Sequence, residues 1–278
     1  MKLTIAGIAP RRICCKFAEK KIMKTAFFIS PHLDDAVFSC GGTLAKLAAE
    51  GWRTILCTIF TKSVVNPQGF ALRCQMDKNL AADVDYMKLR RAEDFRAAKI
   101  LGAAETLHLN FLEAPHRGYE SAAELFAGEK PGDEVWKAVA EYFEMLNEIH
   151  QPEIVFAPQG LGSHADHLQT IRAARSSFSI EKIRWYRDLP YAIRQPDALP
   201  SELLPPGLFS LFSEIKIYLP QKIAACAAYQ SQINFQFGSL DQIKPQLENF
   251  HRFEAGKSEE TFFAAEILSS PLLDLFEN

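Results

Sequence analysis

The chain has 278 residues, 48% of them apolar and 23% charged, with a formal net charge of −3. That length suits one large α/β domain or two small ones, and the near-neutral balance gives no electrostatic case for nucleic acid or an anionic membrane surface. No apolar run approaches the roughly 20 residues that a bilayer span requires.

Residues 1–22 (MKLTIAGIAPRRICCKFAEKKI) match a signal peptide poorly, because the short apolar run from Leu3 to Ala9 is followed by Pro10-Arg11-Arg12. They read as a weakly structured extension ahead of a second natural start at Met23-Lys24. The six cysteines, at 14, 15, 40, 57, 74 and 226, form no C-x-x-C pair. They read as free thiols of a reducing compartment, which predicts a cytoplasmic protein.

In chain order, residues 25–30 (TAFFIS) form an apolar run of the kind buried in a parallel sheet. A helix is expected over 39–50, with Leu44, Leu47 and Ala48 on one face and Gly51 at its end. Residues 54–60 (TILCTIF) read as a second strand and 62–86 as a long polar loop. The spacing predicts a helix over 87–101 stopped by Gly102, a third strand over 106–111, and an irregular stretch to Gly132. A helix over 133–149, a strand over 153–157, a helix over 164–178 and a strand over 182–187 follow. An edge strand is expected at 214–219 and a helix at 221–235, with a helical or irregular remainder.

This alternation predicts the α/β class: a single Rossmann-like domain over residues 23–278, its mostly parallel sheet flanked by helices on both faces. No G-x-G-x-x-G follows the first strand, which counts against a dinucleotide-binding protein. In such sheets ligands bind beyond the carboxyl ends of the strands.

Two clusters fall at those ends. After strand one come His32, Asp34 and Asp35, and after strand four come His164, Asp166 and His167. Imidazole and carboxylate suit a borderline cation such as zinc. A helix-capping explanation covers Asp34 or Asp35 in the first cluster, and Ser163 with Asp166 in the second, but gives no reason for two histidines. Together the clusters supply two histidines and one carboxylate with a coordination position left open, the pattern of a catalytic zinc. Asp34 and His164 remain as acid/base partners.

The segment Pro31-His32-Leu33-Asp34-Asp35 resembles the [AP]-H-x-D-D motif of the PIG-L/LmbE-like N-acetylglucosamine deacetylase family, and residues 162–167 (GSHADH) resemble its H-x-D-H signature. Arg90, Arg91, Glu93, Ala97 and Gly102 resemble the family's R-x-x-E…A…LG helix, and 110–117 (NFLEAPHR) the segment after strand three. Residues 188–191 (DLPY), and Tyr229 with Ser231 and Gln232, resemble segments of one bacterial branch, so the likeness runs from about 24 to 235.

The resemblance implies metal-dependent hydrolysis of the N-acyl group, by default acetyl, of an amino-sugar or its glycoside. It implies Zn2+ as cofactor, with another divalent transition metal such as Fe2+ as the alternative. His32, Asp35 and His167 match the metal ligands, Asp34 the general base, His164 an imidazolium that polarises the reacting carbonyl, and Asp166 a carboxylate that orients a histidine. Ala36 stands where an acidic residue often follows D-D. Gly162 stands where some members carry a tyrosine, so any oxyanion help from that position comes from elsewhere or is absent.

Arg73, Arg91, Glu113 and Arg117 are the candidate substrate contacts in or beside loops of the same face, with solvated surface or ion pairing as the alternative. The expected partner is a small-molecule amino-sugar conjugate. Competing readings are an amidase for a non-sugar amide or thiol conjugate, and a non-catalytic binding protein on the same fold. The aromatic C-terminal segment (Phe250, Phe253, Phe262, Phe263) packs either on the domain or on another subunit, which leaves a homo-oligomer open.

Overall fold

The computed structural model describes residues 23–255, 258–265 and 276, with the side chains of 253–255 left aside. The expectations for residues 1–22, including Cys14 and Cys15, and for Phe253 lie outside the described residues. Seven strands form one sheet: β1 (Thr25–Ser30), β2 (Arg53–Thr58), β3 (Glu105–His108), β4 (Ile154–Pro158), β5 (Ile183–Tyr186), β6 (Leu208–Glu214) and β7 (Glu259–Ala265). Their order is β3-β2-β1-β4-β5-β7-β6. The first five are parallel, and β7 is antiparallel to both of its neighbours.

Ten helices accompany the sheet among the described residues. They are α1 (Asp35–Ala49), α2 (Gly69–Met76), α3 (Tyr86–Leu101), α4 (Ala122–Leu125), α5 (Val135–His150), α6 (Ala165–Ser177), α7 (Tyr191–Arg194), α8 (Leu219–Cys226), α9 (Gln230–Phe237) and α10 (Leu240–Ala255). None is long and apolar enough to cross a membrane.

The twofold period of a strand explains the two cores. On one face Phe28, Leu56 and Phe156 pack under Val37, Leu44, Leu101 and Ala225 of α1, α3 and α8. Phe28 and Phe156 stack with centroids 4.3 Å apart. On the other face Phe27, Ile29, Ile55 and Val155 pack under Val139, Phe143, Ile171 and Ala174 of α5 and α6. Both faces are covered, so β1, β2 and β4 read as unbroken apolar runs. The expected α/β architecture is what the chain forms. Strand order reverses direction between β1 and β4, the switch point at which open parallel sheets bind ligands.

Four local expectations are corrected. The loop over 62–86 contains α2, which buries only Ala71 and Gln75 and so shows no apolar stripe in the sequence. The edge strand is β6, earlier than 214–219: Leu211 and Ser213 point inward and the chain turns into α8 by Leu219. The helix over 221–235 is two helices, parted between Cys226 and Gln230. The remainder, expected to be helical or irregular, contains strand β7 beside the helical α10. The inward side of β7 is Glu260, Phe262 and Ala264, and a buried carboxylate hides the alternation.

That carboxylate repairs a break in α1. The helix loses regular geometry at Cys40 (φ −132°, ψ 25°). Where it resumes, the N–H groups of Gly42 and Thr43 donate to Glu260 at 2.9 and 2.7 Å. Lys222 neutralises Glu260 (2.7 Å) and donates to the Ser39 carbonyl (3.1 Å), so the groups freed by the break are paired. Among the described residues, Cys40, Cys57, Cys74 and Cys226 are free.

Candidate metal centre and catalytic cleft

The turn after β1 is closed by Ser30, whose hydroxyl donates to the His32 carbonyl (2.6 Å) and accepts from the Ala36 N–H (3.0 Å). This aims His32 and Asp35 at the loop after β4. Asp35 Oδ2 lies 3.1 Å from His32 Nδ1 and 3.3 Å from His167 Nε2. The structure therefore gathers the three residues expected to hold the metal. His167 Nε2 is buried and makes no hydrogen bond, an orphaned polar atom pointing at a carboxylate oxygen.

Each histidine of the trio is held from behind. His32 Nε2 lies 2.9 Å from Asp166 Oδ2, and His167 Nδ1 lies 2.5 Å from Asp188 Oδ1. Carboxylates behind imidazoles fix ring orientation and raise basicity for a metal. Asp166 is itself held by the Ala114 N–H (3.0 Å) and Arg117 (2.7 Å), and Asp188 by the Gln159 and Leu161 N–H groups (3.0 and 3.2 Å). A second trio, His32 with His164 and Asp166, also lies close together, but both oxygens of Asp166 already accept, from His32, the Ala114 N–H and Arg117. The first trio is the better cation site.

Electrostatics agree. Burial works against charge on both rings, yet the Asp166 and Asp35 hydrogen bonds raise the pKa of His32 well above its usual value. The Asp35 carboxylate likewise leads the rise of His167 to about 9. Against the cost of burial, His167 holds Asp35 well below the carboxylate range, and Arg117 with His32 does so for Asp166. The carboxylates of the cluster favour positive charge on its rings, and a divalent cation held by His32, Asp35 and His167 would meet the same preference.

Asp34 sits beside the trio and behaves differently. Burial, opposed by Arg90 and reinforced by Asp35, raises its pKa to about 7. One oxygen approaches Arg90 (3.4 Å) and the other has no partner. His164 caps α6, its Nδ1 accepting from the Asp166 N–H (3.2 Å), so the Ser163–Asp166 capping box is not formed. Burial, with the neighbouring His32, lowers His164 to about 3. Both effects disfavour the imidazolium form, and an Nδ1 that accepts from Asp166 N–H leaves Nε2 as the atom that carries the proton of a neutral ring.

These groups lie at the floor of a cleft of about 250 Å³ walled by Phe70, Tyr86, Phe126, Tyr191 and Phe235. Of the four expected substrate contacts, Glu113 lines this cleft, paired with Arg90 at 2.8 Å. The other three do not. Arg117 is spent on Asp133 and Asp166. Arg91 donates to the Thr61 carbonyl and Ser63 Oγ. Arg73 reaches the Glu120 carbonyl on the outside.

Arg90 and Asp188 stand in the family-like segments, yet sequence reasoning assigns neither of them a role at the site. Arg90 shares the buried stripe of α3 with Met87, Glu93, Asp94 and Ala97, so helical phase favours it over Arg91. The DLPY segment marks Asp188 but not its partner, because β5 reaches the site only by pairing with β4.

Residues 27–178, more than half of the chain, match the family model described as PIG-L: GlcNAc-PI de-N-acetylase. The chain belongs to the PIG-L family. It is 33% identical over 210 residues to the 2'-N-acetylparomamine deacetylase of Streptomyces fradiae, covering 73% of this chain and 72% of that protein. The corresponding enzyme of Niallia circulans is 27% identical over 242 residues, 80% of this chain and 86% of that one. The zinc-inhibited form of teicoplanin deacetylase Orf2 superposes with a TM-score of 0.74 at 27% identity, covering 89% of this chain and all of that one. The matched PIG-L segment runs from within β1 to just beyond α6, and so contains both ligand clusters.

Proposed function

We propose that this PIG-L chain is a zinc-dependent deacetylase that hydrolyses the N-acetyl group of an amino-sugar or amino-sugar glycoside to acetate and free amine. The observation that carries the reading is the site itself: a His32/Asp35/His167 trio backed by Asp166 and Asp188, with the unpaired oxygen of Asp34 beside it in an open cleft. The family relatives, whose names describe deacetylation of amino-sugar compounds, support the substrate class.

A divalent cation on the trio would supply Lewis acidity and a water more acidic than bulk water. Asp34, raised toward neutrality and in reach of the same space, accepts the water's proton. Arg90 keeps Asp34 and Glu113 in place from the floor of the cleft. The Nε2–H of His164 is a donor for the oxygen of the amide being cleaved. Glu113, which lines the cleft beside Arg90, is the polar group proposed to meet sugar hydroxyls. The free cysteines support a reducing, cytoplasmic location.

The test is a panel of N-acetylglucosamine, its glycosides, N-acetylated aminoglycoside fragments and simple N-alkylacetamides, followed by acetate release. Turnover of the sugar compounds with little on the alkyl amides supports the reading. Preference for alkyl amides or thiol conjugates would replace it with the non-sugar amidase.

A further inference from the structure

Tyr191 opens α7, three residues beyond the Asp188 that holds His167. Its ring meets His167 edge-on, with centroids 5.6 Å apart and planes at 88°, and meets Phe126 at 5.9 Å. The third side of the ring rests on Gly162: a Cβ built at Gly162 would lie 3.6 Å from Tyr191 Cδ1 and 3.9 Å from Phe126 Cδ1. Gly162 also holds φ +80°, a conformation that excludes most side chains. A bare backbone at 162 therefore leaves the wall of the cleft to Tyr191.

The hydroxyl of Tyr191 differs from those of four other tyrosines. Tyr186 donates to the Ile29 carbonyl (2.9 Å), Tyr119 to Asp133 (2.9 Å), Tyr229 to Asp94 (2.5 Å), and Tyr86 pairs with Gln232. Tyr191, lining the same cleft as Asp34, Asp35 and His164, makes no such bond among the described residues. Tyr191 is half-buried at the wall of the cleft, so its phenol is available to whatever occupies that space. The Ala192 N–H bonds the Asp188 carbonyl (3.0 Å), so one short turn fixes both the support of a metal ligand and this free phenol.

We propose that Tyr191 is a further catalytic residue: its phenol donates a hydrogen bond to the carbonyl oxygen of the scissile amide as that oxygen becomes an oxyanion. The inference rests on the deacetylase reading above. Water adds through its oxygen to the acyl carbon, the C=O π pair moves onto the carbonyl oxygen, and Asp34 takes one water proton. On collapse that pair re-forms C=O, the C–N bond breaks, and Asp34 returns the proton to nitrogen, giving amine and carboxylic acid. Tyr191 keeps its proton throughout, as a phenol with a usual pKa near ~10 does at neutral pH. It acts together with the Nε2–H of His164.

The experiment compares the full-length, zinc-loaded wild type with Tyr191→Phe, which keeps the ring packing on His167, Phe126 and Gly162. Steady-state rates on the best acetylated substrate are read beside zinc content, melting temperature and the affinity of methylphosphonate, a tetrahedral anion that presents oxygens where the oxyanion would form. Loss of one such donor costs about 10²-fold in kcat, with KM, zinc content and melting temperature unchanged and methylphosphonate binding about tenfold weaker. A kcat within twofold of wild type overturns the inference, as does a loss explained by missing zinc. A wild type that cleaves no acetamide defeats the deacetylase reading instead. The methylphosphonate arm still decides the donor: equal affinities overturn it and a tenfold loss upholds it.

Discussion

His167 and Asp188 are joined at 2.5 Å through Nδ1 and Oδ1, and neither side chain reaches solvent. The contact leaves Nε2 of His167 as the atom that faces Asp35. Asp188→Asn keeps the shape but removes the charge that makes the ring a strong ligand. Loss of such a supporting carboxylate weakens metal binding roughly 10–100-fold. Competition for zinc against a chromophoric chelator checks this, and unchanged affinity would remove Asp188 from the site.

Asp34→Asn tests the base separately from the metal. The variant should bind one metal ion with near-normal affinity and lose about 10²–10⁴-fold in kcat/KM, the usual contribution of a positioned acid/base group. Full activity with metal bound would assign the proton transfer elsewhere.

The break in α1 predicts a stability effect at Gly42. A methyl group there would sit 2.8–2.9 Å from Ile215, which is fully buried and cannot retreat. Gly42→Ala should cost about 1–3 kcal/mol through overpacking. Calorimetry of the metal-saturated protein should show a lower melting temperature, and an unchanged one would mean that Ile215 repacks freely.

His251 predicts a pH dependence of stability. Its Nδ1 donates to the Glu259 carbonyl (2.8 Å) and its Nε2 accepts from Lys222 (3.1 Å), which in turn pairs with Glu260. Burial, then the Lys222 cation, holds the ring neutral by lowering its pKa well below 6.5. Below that value the unfolded chain binds the extra proton, so this contribution is complete above about pH 6.5 and is lost as pH falls. Urea unfolding at pH 7.5 and 5 should show lower stability at pH 5, and His251→Gln should flatten the difference. An identical slope in the variant would refute the assignment.

Much of this arrangement is legible in the sequence, and the parts that are not share a cause. The apolar runs of β1, β2 and β4 and the paired His/Asp clusters are local patterns, and the fold brings His32, Asp35 and His167 together at the switch point of the sheet. Phase along α3 separates Arg90 from Arg91, but only once the helix's buried face is known. Asp188, Glu260 and Lys222 defeat sequence reading because their partners are remote: His167 lies across β4, and Glu260 reaches α1 from β7. A buried charge looks like a surface residue until the fold supplies its counter-charge.

Metal dependence is tested by acetate release from an N-acetylglucosaminide by chelator-stripped protein titrated with zinc, with bound metal counted in parallel. Activity should be absent after stripping, return in proportion to zinc up to one ion per chain, and fail to return in His167→Ala, which should bind no ion at this site. Undiminished acetate release from metal-free protein, or full zinc binding and activity in His167→Ala, would rule out a catalytic metal on His32, Asp35 and His167.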